Sequence, residues 1–67
     1  MDNQGRKLTR VKDGVTVTIE TDGEGTRRRS FISLSGSPSK RTIDAVAKLQ
    51  SSSFDPAWVM NQVVKTI

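Results

Sequence analysis

The sequence predicts a small α+β domain, a three-stranded antiparallel β-meander followed by two α-helices packed on one of its faces, in the order βββαα. Three observations carry that expectation. An Asp-Gly pair at positions 13 and 14 separates two runs rich in Val, Thr and Ile. A second glycine-bearing turn, TDGEGT at 21–26, precedes the alternating run SFISL. From residue 38 onward the apolar residues recur at helical spacing instead of alternating. With strands first and helices after, the simplest layering places both helices on one side of the sheet.

Asp13 and Gly14 suit a type I′ hairpin turn, because both central residues of that turn need positive φ. Strands are expected over 7–12 and 15–21. In that register Lys12 faces Val15, Arg10 faces Val17 and Leu8 faces Ile19, while Thr9, Val11, Thr16 and Thr18 occupy the other side. Cations in the first strand fit an edge position, where they discourage pairing with other sheets. The third strand is expected over 26–34. A four-residue loop from Asp22 to Gly25 would set Glu20 opposite Arg27 as an ion pair, Ile19 opposite Arg28 and Val15 opposite Ile32.

The first helix is expected over 38–50, capped by Ser37 with Pro38 at its first position, or by Ser39. Ile43, Val46, Ala47 and Leu49 form one stripe of it, and Lys40, Asp44 and Lys48 another. The serines at 51–53 end it. Asp55 and Pro56 open a second helix over 56–66, with Phe54 placed to pack on Val59 as a hydrophobic staple. Residues 1–67 read as one domain, whose first five residues carry no pattern and are expected to be free.

A chain of 67 residues without cysteine builds only a thin core, so self-association as a homodimer is a natural remedy. The absence of both histidine and cysteine removes the usual zinc sites, thiol nucleophiles and imidazole acid–base schemes. The expectation is a protein that is not an enzyme and uses no metal or cofactor. There is no phosphate-binding Gly-x-x-x-x-Gly-Lys pattern. Glu20, Asp22 and Glu24 lack the spacing of a calcium loop and read as a solvated turn. The apolar runs are far too short for a membrane span and the N-terminus has no signal-peptide core, which points to a soluble, cytoplasmic or nuclear protein.

Eleven Lys and Arg against seven Asp and Glu leave a net charge of +4, which favours an acidic partner, DNA or RNA first. Arg27, Arg28 and Arg29 are the first candidates for phosphate contact, with Arg10 and Lys12 in support. Lys40 and Arg41 are the second. They lie in the first turn of a helix, where the macrodipole is already positive, so a phosphate held there beside Ser37, Ser39 and Thr42 would account for them. The two clusters form one nucleic-acid-binding site only if they share a surface; otherwise the arginines are a charged strand end.

The alternative is a protein–protein interaction module, an adaptor, inhibitor or assembly subunit, with Phe31, Trp58, Met60 and the apolar C-terminal helix at its interface. On a helical wheel Trp58 lies almost opposite Met60, Val63 and Ile67. A lone tryptophan in so small a domain is nevertheless expected to close the core, and Phe31 is expected to face inward.

Overall fold

The computed structural model describes residues 6–23, 27 and 29–67. Its elements are β1 (Arg6–Lys12), β2 (Val15–Asp22), β3 (Arg29–Gly36), α1 (Lys40–Leu49) and α2 (Pro56–Val64). The strands form one antiparallel sheet in the order β1-β2-β3. Alternate residues Val15, Val17 and Ile19 of β2 and Ile32 of β3 are buried together with Val46 of α1 and Val59, Met60 and Val63 of α2. Both helices therefore cover the same face of the meander, the βββαα arrangement that the sequence predicts.

Asp13 and Gly14 have φ of 50° and 78°, the pair of positive angles a type I′ turn requires. The first hairpin takes the expected register, with Leu8 opposite Ile19 and Arg10 opposite Val17. The second does not. β3 starts at Arg29 and is displaced so that Ile32 faces Ile19, Leu34 faces Val17 and Phe31 faces Glu20. An even displacement keeps every side chain on its face, so alternation could not distinguish the two registers. Matching decides it: Ile19 is fully buried, and a guanidinium opposite it would be held out of water without a partner. The expected Glu20–Arg27 pairing is thus replaced, and Arg27 precedes the strand. Arg28, the turn residues 24–26 and the first five residues lie outside the described residues.

β3 ends at Gly36, where φ is 94° and a Cβ would run into the carbonyl of Gly14. Only glycine permits that approach of strand end to hairpin turn. Along the outer edge of β3, the Ser30 N–H donates to the Ser52 carbonyl at 3.0 Å and the Ser51 N–H donates to the Ser30 carbonyl at 2.8 Å. The Gln50 side chain then pairs with both backbone groups of Ile32. Residues 50–52 thereby cover half of an edge that would otherwise expose unpaired backbone groups.

Ser39, not Ser37, caps α1, its Oγ accepting from the Thr42 N–H at 3.4 Å, so the helix begins at Lys40. Its inner stripe is Thr42, Val46 and Leu49; Ile43 is 49% exposed and Ala47 is exposed, so the helix is rolled away from the expected face. In α2 the Asp55 carboxylate accepts from the Trp58 N–H at 3.2 Å, the expected cap. The helix stops at Val64, where the Thr66 hydroxyl donates to the Val63 carbonyl at 2.6 Å and lies 2.8 Å from the Thr42 hydroxyl oxygen. Phe54, expected as a staple on Val59, sets its ring centroid 5.1 Å from that of Trp58. Among the described residues no helix is long and apolar enough to cross a membrane.

Candidate functional site

The chain runs out along β3 and back along α1, as the contact of Gln50 with Ile32 and of Ser51 and Ser52 with Ser30 requires. Arg29 therefore lies beside the C-terminal end of α1. Lys40 and Arg41 lie at its other end, with Gly36 and the hairpin turn. Ten residues of α-helix are about 15 Å long. Among the described residues, Arg27 and Arg29 thus lie at the opposite end of α1 from Lys40 and Arg41, and the two groups do not share one surface.

Sorting the charges by face gives a different grouping. The uncovered face of the sheet carries Lys7 and Arg29, but the strand register sets them opposite Glu20 and Asp22. That face is otherwise lined by hydroxyls, from Thr9, Thr16, Thr18, Ser33 and Ser35, and by the exposed side chain of Val11. Phe31 sits on it, 44% exposed and directly opposite Glu20. Its expected core position fails because Ile32 and Leu34 take the helix side, and alternation then turns Phe31 outward. On the helix side lie Arg10, Lys12, Lys40, Arg41, Lys48 and Lys65, against only Asp44 and Asp55. Among the described residues, the positive surplus belongs to the helix layer.

Between the two antiparallel helices the same side opens into a groove of about 470 Å³. Arg41, Ala45 and Lys48 face it from α1, and Trp58 and Gln62 from α2. Positions 41, 45 and 48 recur at helical spacing along one stripe, as do 58 and 62. Trp58 is 45% exposed at the groove wall. Its wheel position, away from Val59, Met60 and Val63, accounts for that, and its expected place in the core is corrected accordingly. Met60 is only 2% exposed and belongs to the core, so it offers little surface to an interface beyond its place in the lining of a second groove. Arg10 borders a smaller groove of about 240 Å³ on the other flank of α2, with Leu8, Ala57 and Asn61.

Comparison with protein families, curated proteins and solved structures gives no match. The site must speak through its own groups. A flat aromatic, two cations about 10 Å apart along α1, a carboxamide and the Asp44 carboxylate make a surface suited to binding an anionic, ring-bearing partner. Lys48, Gln62 and Asp44 were not among the candidate site residues from sequence, where Asp44 and Lys48 figured only as a polar stripe of the first helix. Their signal was present as the seven-residue spacing of Arg41 and Lys48 and the four-residue spacing of Trp58 and Gln62, but it acquires meaning only once the helices are known to lie side by side.

Proposed function

We propose that this is a small non-enzymatic nucleic-acid-binding protein of the cytoplasm or nucleus, and that its binding surface is the helix layer. One observation carries the reading: Trp58, the only tryptophan, stands exposed in the same groove as Arg41 and Lys48. Cations beside an exposed aromatic serve the two needs of such binding, phosphate neutralisation and base stacking. Lys40, Lys65, Arg10 and Lys12 extend the positive field around the groove and would steer an anionic chain toward it. Arg29, on the uncovered face of the sheet opposite Asp22, contributes little to this site.

The test is fluorescence anisotropy of labelled oligonucleotides at two salt concentrations. Binding should weaken steeply with salt, and the paired Arg41→Ala and Lys48→Ala variants should weaken it and flatten that salt dependence, whereas Arg29→Ala should change it little. Absence of binding at low salt overturns the reading.

A second reading is favoured by the Phe54–Trp58 ring contact, with Phe54 56% exposed. A paired exposed aromatic is the usual anchor of a protein interface. In that case the domain is an adaptor or assembly subunit, or pairs with its own copy through this ridge, and the cations form a rim. Sedimentation of the protein alone, with and without Trp58→Ala, separates self-association from nucleic-acid binding.

A further inference from the structure

We infer that the groove between α1 and α2 takes a single-stranded nucleic acid, with one base withdrawn from its stack and laid against Trp58. The inference rests on the nucleic-acid reading above and specifies the form of nucleic acid and the way it is held.

Shape makes the first distinction. Duplex DNA is read by an element that projects into a groove of the double helix. Here the aromatic ring and the polar groups line a recess between two antiparallel helices, which no base within a duplex can enter. A splayed base can, and single strands are recognised by stacking such bases on aromatic side chains. The volume of about 470 Å³ falls in the range of sites for small ring-bearing ligands. The Phe54 ring is tilted by 59° to that of Trp58. It props the indole without covering it as a parallel sandwich would.

Charge makes the second distinction. Arg41 and Lys48 stand toward the two ends of the groove, with Asp44 between them in sequence and in the same lining. A carboxylate there repels a phosphate and accepts from the N–H groups of a base edge. Gln62 adds an amide that can both donate and accept. The phosphates flanking a bound base then meet one cation each, while its edge meets Asp44 and Gln62.

The chain has one tryptophan and no tyrosine, so its intrinsic fluorescence reports on Trp58 alone. The experiment titrates the wild-type protein at low salt with three probes of equal length: a mixed-sequence single strand, the matching duplex, and a single strand with abasic sites in place of its bases. Trp58→Ala is examined in parallel by anisotropy, with circular dichroism as the check on folding. Expected are strong quenching by the single strand, weak quenching by the duplex and the abasic strand, and a loss of about tenfold or more in single-strand affinity for Trp58→Ala. Duplex or abasic strand binding as tightly as the single strand overturns this inference and leaves nucleic-acid binding in place. Failure of all three probes to bind overturns both.

Discussion

Gln50 and Ile32 are joined by two hydrogen bonds that imitate a strand pairing: the Ile32 N–H donates to Gln50 Oε1 at 2.6 Å and Gln50 Nε2 donates to the Ile32 carbonyl at 2.9 Å. One side chain from the C-cap of α1 thus satisfies both backbone groups of a buried residue on the sheet edge. It also fixes the distance between the helix and β3. Gln50→Ala is expected to destabilise the domain by about 1–3 kcal/mol, two ordinary bonds' worth. Urea denaturation checks this, an unchanged midpoint being the contrary result.

Two threonines should respond in opposite senses to the same substitution. Thr42 is buried, and its hydroxyl lies within hydrogen-bond reach of Thr66 and Ser39, tying the start of α1 to the end of α2. Thr21 is also buried, yet its hydroxyl has no hydrogen-bond partner among the described residues. Thr42→Val should cost about 1–2 kcal/mol, whereas Thr21→Val should be neutral or stabilising, because it replaces an unsatisfied polar group by one of the same shape. Thermal melts of the two variants decide the matter.

Gly14 and Gly36 both have positive φ, but for different reasons. At Gly14 an added Cβ meets nothing within 4 Å, so Gly14→Ala pays only backbone strain, about 1–2 kcal/mol. At Gly36 it meets the Gly14 carbonyl as well. Gly36→Ala is therefore expected to be the more damaging, by a margin visible in denaturation midpoints or in recovery of folded protein.

Within the groove, reversing one charge should matter more than removing several outside it. Lys48→Glu is expected to weaken single-strand binding by tenfold or more at low salt, and the difference should shrink as salt rises. Arg29, opposite Asp22 on the far face, should tolerate Arg29→Glu with little change in binding. The same anisotropy assay reads both.

The local signals were the legible part of the fold. Asp13-Gly14 and Asp55-Pro56 are written in adjacent residues, and each produces the turn or cap that its chemistry dictates. The register of β3 was not legible, because two registers an even number of residues apart place the same side chains on the same face and differ only in cross-strand partners. Ser37 and Ser39 were likewise equivalent in sequence, and the capping bond from the Thr42 N–H falls to Ser39. The site was legible in part. The wheel placed Trp58 away from the core stripe, but its exposure depended on where α1 comes to lie beside α2. The partnership of Arg41 and Lys48 with Trp58 spans two elements and has no local signature.

The most direct test is an NMR titration of the isotopically labelled protein with a mixed-sequence single-stranded oligonucleotide at low salt. The account predicts shifts concentrated at Arg41, Asp44, Lys48, Gln62 and the Trp58 indole N–H, with the open face of the sheet around Thr18, Phe31 and Ser33 unmoved. Shifts centred on Phe31 and Arg29, or no shifts at all, would contradict it.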